Sequence, residues 1–138
     1  VLAGPDSPHA FALETFMRTA SFRGRVERNP PNLPKLMSWA HLSIAAGGTT
    51  AWELAFMGLP SALLVLADNQ RRIVEELDRR GVAVGLGPVE RVTERGLARE
   101  VEKLIASRGR RRSMSARGRR LVDGRGAPRV VAALRGRS

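Results

Sequence analysis

The chain has 138 residues, 43% of them hydrophobic, which is long enough for one domain with its own core and too apolar for a disordered segment. It contains no cysteine, which excludes disulfides and thiolate metal sites, and no apolar run approaches the roughly 18 residues that span a membrane. The formal charge of +11 comes almost wholly from arginine, with lysine only at Lys35 and Lys103.

Hydrophobic periodicity predicts a regular alternation of strands and helices. Residues 1–3 read as a strand running into a turn at Gly4-Pro5, followed by a helix over 9–19 and a short strand over 22–27. Asn29-Pro30-Pro31 punctuates the chain, and a helix over 32–40 carries Leu33, Leu36, Met37 and Trp39. A strand over 42–45 leads to a helix over 50–57, closed by the turn Gly58-Leu59-Pro60. Residues 61–67, Ser-Ala-Leu-Leu-Val-Leu-Ala, have the near-continuous apolar pattern of a central parallel strand buried on both faces.

Asp68-Asn69-Gln70 opens a helix over 69–80 that turns Ile73, Val74 and Leu77 inward. Glu75–Arg79 and Glu76–Arg80 are expected as charge pairs on its outer face. Gly81 ends that helix, and residues 82–86 form another strand. An amphipathic helix over 93–106, through Leu97, Val101, Leu104 and Ile105, precedes the arginine-rich helix at 108–120 and a last helix over 127–134. Phe11, Phe16, Phe22, Phe56, Trp39 and Trp52 are expected in the core or in pocket walls. The fold class expected is α/β, a Rossmann-like parallel sheet with helices on both faces. A parallel strand at residues 1–3 calls for a preceding partner, so the chain is expected to begin in mid-domain.

The stretch Ala45-Ala46-Gly47-Gly48-Thr49-Thr50-Ala51-Trp52-Glu53 carries the most chemistry. It joins a strand to a helix, where free N–H groups and the positive dipole end suit an anion, above all phosphate. The glycines permit unusual backbone angles and a close approach by the ligand. Thr49 and Thr50 supply hydroxyls, and the Glu53 carboxylate can accept from a sugar diol. The same residues also fit a capping box, with Thr50 capping and Glu53 reaching back, and Gly47-Gly48 fits a plain strand-to-helix turn. No Gly-Lys-Ser/Thr follows, so this is not a Walker A loop, nor is it the dinucleotide G-x-G-x-x-G. Gly47-Gly48-Thr49-Thr50 and Asp68-Asn69-Gln70 follow consecutive strands, at the carboxyl edge where ligands of such sheets bind. His9 and His41 lie far apart without metal-ligand spacing, and neither a metal nor a cofactor is expected. No basic-then-apolar leader is read at the start, and a cytoplasmic location is expected.

These segments, with Gly58-Leu59-Pro60 and the late run Asp123-Gly124-Arg125-Gly126-Ala127-Pro128-Arg129-Val130, resemble the carboxyl-terminal domain of the PseG/SpsG group. That group comprises UDP-sugar hydrolases of pseudaminic acid synthesis and their spore-coat polysaccharide relatives. The resemblance runs over most of the chain, and extends more distantly to MurG and the GT-B glycosyltransferases. It implies an incomplete carboxyl-terminal GT-B domain over residues 1–138, lacking its first strand, whose partner is a missing amino-terminal domain that carries the catalytic base. It further implies that Gly47, Gly48, Thr49 and Thr50 hold the diphosphate of a UDP-sugar and that Glu53 holds the ribose. Val26, Glu27 and Met37 would flank uracil, while Asn69 and Gln70 face the sugar. The catalytic residue stays unknown, and the chain alone is expected to be inactive.

Two other readings remain beside it. A MurG-like transferase would hold the same donor in the same half. Separately, Arg108-Gly109-Arg110-Arg111-Arg112 and Arg117-Gly118-Arg119-Arg120 form a cluster able to hold nucleic acid or an anionic surface, or only a solvated helix face.

Overall fold

The computed structural model describes residues 1–4 and 6–136; Pro5 of the expected first turn lies outside the described residues. The elements run β1 (Leu2–Ala3), α1 (Ala10–Thr19), β2 (Glu27–Arg28), α2 (Leu33–Trp39), β3 (Ser43–Ala46), α3 (Thr50–Met57), β4 (Ser61–Val65), α4 (Asp68–Arg79) and β5 (Ala83–Pro88). A 3₁₀ turn at Val89–Arg91 then leads to α5 (Glu94–Ala106), α6 (Arg108–Leu121) and α7 (Gly126–Arg135). Every described strand pairing is parallel, but the strands form two sheets rather than the single one expected, β1-β2 and β3-β4-β5. The chain divides correspondingly into a unit over Val1–Leu36 and a larger unit from Met37 onward.

In the first unit β1 and β2 pair in the register Leu2↔Glu27 and Ala3↔Arg28. The strand expected over 22–27 shrinks to Glu27–Arg28 because Arg23-Gly24-Arg25 offers no apolar face and its partner strand is only two residues long. Arg28 reaches back from β2 to Glu14 of α1 at 2.8 Å. Asn29 then turns the chain with φ 44°, a left-handed conformation that asparagine tolerates.

In the second unit β4 is the central strand, as its apolar run predicts: Ser61, Ala62, Leu63 and Val65 are buried and Leu64 half-buried. The lone polar side chain of that run is satisfied, since Ser43 Oγ donates to Ser61 Oγ at 2.7 Å and Ser61 Oγ to the Leu59 carbonyl at 2.8 Å. Ala62, Val84, Leu104 and Met114 form a core cluster, so α5 and α6 both pack against the sheet. Val74 and Leu77 of α4 are buried as expected, and Asp78 Oδ1 accepts from the Gly85 N–H at 3.1 Å. On the outer face of α4 the expected Glu76–Arg80 pair forms, but Arg79 also pairs with Glu76 instead of with the expected Glu75. The guanidiniums of Arg80 and Arg79 hold the Glu76 carboxyl below the usual carboxylate range.

The aromatic expectation is largely overturned. Phe11, Phe16, Phe22, Trp39 and Phe56 are exposed, Trp39 by 78%, and only Trp52 is half-buried. The core is instead built from alanine, valine, leucine and methionine, whose smaller volumes suit closely spaced strands and helices.

Candidate functional site

Gly47, Gly48 and Thr49 alone join β3 to α3. The Gly47 N–H donates to the Leu64 carbonyl at 2.8 Å and prolongs the β3–β4 ladder. A Cβ on Gly47 would lie 2.1 Å from Val74 Cγ2, so α4 packs into the space where a side chain would stand. Close approach is thus the reason for this glycine. The unusual angles expected of the pair are absent, because the left-handed glycines are Gly58, Gly81, Gly87 and Gly124. A Cβ on Gly48 would be 3.9 Å from its nearest neighbour, Gln70 Nε2, an ordinary contact.

The first turn of α3 closes through short-range bonds, Ala51 N–H to the Gly48 carbonyl and Trp52 N–H to the Thr49 carbonyl, each at 3.0 Å. Among the described residues, no acceptor meets the N–H groups of Gly48, Thr49 and Thr50. The threonine side chains beside them are exposed and without partners. The capping box does not form: Thr49 rather than Thr50 occupies the cap position, no side chain bonds the helix end, and Glu53 is exposed and unpaired. With helical backbone angles (φ −58°, ψ −33°), Thr49 departs from the extended conformation that side-chain capping requires.

The loop after β4 meets this junction. Asp68-Asn69-Gln70 is already the first turn of α4, and Gln70 Oε1 accepts from the Leu66 N–H at 3.0 Å. That bond fixes the carboxamide and leaves Nε2 as the neighbour of Gly48. Asn69 is exposed and unpartnered, and Asp68 pairs with Arg71 at 3.1 Å. Gly47, Gly48, Thr49, Thr50, Glu53 and Gln70 therefore share one edge of the larger unit. The amides, the hydroxyls and Gln70 Nε2 can all donate, a set that suits an oxyanion. Met37 is buried, 7% exposed, on α2. Val26 and Glu27 belong to the first unit, where the Glu27 N–H donates to the Val1 carbonyl at 2.9 Å and its carboxylate pairs with Arg25 at 2.8 Å.

Two features were missed in the sequence. The tie between Gln70 and the Leu66 amide carries no motif that would reveal it. The arginine-rich helix also has structural work: Arg111 donates to the Leu104 and Ile105 carbonyls at the end of α5, and Arg119 to the Met57 carbonyl at the end of α3, at 3.3 Å. Gly118 lets α6 lie against α3, since a Cβ there would be 2.7 Å from the Ala55 carbonyl oxygen. Further on, Asp123 accepts from the Arg125 N–H at 3.0 Å and pairs with Arg129, tying down the start of α7. Among the described residues no cluster of His, Asp or Glu could hold a metal ion, and no helix is long and apolar enough to cross a membrane.

Parallel strands wrapped by helices, with polar junctions after β3 and β4, make this an α/β Rossmann-like arrangement, consistent with one half of a GT-B protein. No family model matches the chain. It is 30% identical over 139 residues to the spore coat polysaccharide biosynthesis protein SpsG of Bacillus subtilis (strain 168), an alignment covering 95% of this chain and 38% of that protein. The similarity supports placing the chain in a SpsG/PseG-like group, as a carboxyl-terminal domain.

Proposed function

We propose that the chain is the UDP-sugar-binding half of a polysaccharide-biosynthesis enzyme. It is a carboxyl-terminal GT-B-type domain that works with an amino-terminal domain outside these residues. The observation that carries this reading is the run of unpartnered N–H groups at Gly48, Thr49 and Thr50, beside Gln70 Nε2 and the unpaired Glu53 carboxylate. Gly47, Gly48, Thr49 and Thr50 hold the diphosphate, and Glu53 accepts from the ribose hydroxyls. The backbone around Val26 and Glu27, with Met37, flanks uracil, and Asn69 and Gln70 face the sugar. The similarity to SpsG over nearly the whole chain supports the polysaccharide assignment.

The reaction we favour is hydrolysis of the sugar–UDP linkage, as in PseG, with UDP as leaving group. A base from the amino-terminal domain activates the water, and the loop amides stabilise the charge that gathers on the departing diphosphate. Resemblance at Asp68-Asn69-Gln70 and Asp123-Gly124-Arg125-Gly126 favours hydrolysis over MurG-like transfer. Such an enzyme acts on nucleotide sugars in the cytoplasm.

Calorimetric titration with UDP, with CMP and a short oligonucleotide as controls, tests the reading. Selective UDP binding that disappears in Gly48→Val and weakens in Glu53→Ala is expected. Salt-sensitive oligonucleotide binding with no response to UDP would overturn it and leave the polyanion reading of 108–120.

A further inference from the structure

Among the arginines of α6, Arg111 and Arg119 are engaged at helix ends, whereas Arg117 and Arg120 have no hydrogen-bond or ion-pair partner among the described residues. Arg117 and Arg120 line an open depression of about 430 Å³ together with Arg80, Val82 and Leu121. Arg80 ends α4, so two separate elements deliver guanidinium groups to the same hollow. The carboxylate bonded to Arg80 is that of Glu76, which Arg79 shares through a forked contact. Gly81 explains how Arg117 comes so close: a Cβ there would stand 2.1 Å from Arg117 Nη1. With φ +63°, this turn already favours glycine, and the missing side chain leaves room for the guanidinium over the end of α4.

Like charges gathered around a hollow repel one another, and no described protein group offsets Arg117 or Arg120. A tetrahedral oxyanion would offset them, since guanidinium forks match phosphate oxygens two at a time. Val82 and Leu121 give the hollow an apolar side, which accommodates a carbon or acyl substituent on the phosphate as well as a bare ion.

The geometry points to a phosphate-binding site formed by Arg80, Arg117 and Arg120, separate from the Gly47–Thr50 junction. Its ligand is a phosphate group, supplied either by a soluble diphosphate or by an anionic phospholipid headgroup. All proteins for the test carry Gly48→Val, so that the junction does not contribute. Inorganic pyrophosphate is titrated by calorimetry, and sedimentation is measured with phosphatidylcholine vesicles with and without phosphatidylglycerol. Binding in at least one arm, reduced ten-fold or more by Arg117→Gln with Arg120→Gln, is expected, and the responding arm identifies the source. Arg117→Lys with Arg120→Lys keeps the charge but loses the forks, and is expected to recover only part of the binding. Circular dichroism checks that each variant is folded, and Arg120→Gln alone serves if the double variant is not. No binding in either arm would overturn the site. So would an equal loss on changing Arg108, Arg110 and Arg112 to glutamine, which would reduce the effect to overall charge.

Discussion

Gly47 and Gly48 are neighbours of one type with different duties. At Gly47 a methyl group would fall 2.1 Å from Val74 Cγ2, so Gly47→Ala is expected to destabilise the fold by about 1–3 kcal/mol. Gly48→Ala meets nothing closer than 3.9 Å and should stay within about 0.5 kcal/mol of the parent. Urea denaturation of the two variants separates these duties, and equal losses would refute the packing argument. Glu53 gives a parallel case. A working capping box would make its removal cost about 1 kcal/mol, but the unbonded side chain predicts that Glu53→Ala changes stability by less than about 0.5 kcal/mol. The sequence showed which residues gather at this junction. It did not show why, because a spacing of hydroxyl and carboxylate fits a cap and a ligand equally, and only the backbone angles at Thr49 decide that no cap forms.

At the scale of elements, strongly periodic segments were legible to within a residue or two. The bounds of α3 are those expected, and α4 is displaced by one residue at each end. Residues 22–27 were misread because a short parallel strand is defined by its partner rather than by its own pattern. For α6, the composition pointed to charge, while the contacts of Arg111, Arg119 and Gly118 arise from tertiary packing that no local pattern encodes. Gly118→Ala sets two effects against each other: better helix propensity, worth about 1 kcal/mol, and a Cβ 2.7 Å from the Ala55 carbonyl oxygen. The contact is with backbone that cannot rotate away, so net destabilisation is expected, read as a lower urea midpoint. At α7, the bond from Arg129 and then that from the Arg125 N–H depress the Asp123 carboxyl from 3.8 to about 2. A group depressed on folding stabilises above its unfolded value. The support for α7 is therefore complete above pH 3.8 and fades as pH falls through about 2. Amide exchange of residues 126–135 should accelerate over that window, and Asp123→Asn should show the fast exchange already at neutral pH.

Across the whole molecule, the α/β class and the parallel strand direction were readable from alternation alone. The division into two sheets was not, since strand pairing depends on neighbours that are distant in sequence. The aromatic side chains were placed inside on hydrophobicity, yet five of those six lie exposed around a core of smaller residues. The net charge of +11 supplies a test at this scale. A polyanion held by many surface arginines loses affinity steeply as salt rises, whereas UDP seated on a few oriented amides loses little. UDP affinity is therefore expected to fall less than ten-fold between 50 and 200 mM salt, against roughly a thousand-fold or more for a ligand neutralising many charges. On the proposed reading the base comes from another domain, so in the same assay the chain by itself is expected to release no UDP from UDP-sugars.

The anchoring of α3 has a consequence for affinity. Its far end is turned by left-handed Gly58 and tied by Arg119 to Met57, and its back rests on Gly118. A helix so clamped cannot rotate to bring its leading amides onto an anion, nor does it need to. The open donors at Gly48, Thr49 and Thr50 stand preorganised, so the diphosphate we propose there would meet a surface with little conformational freedom left to surrender.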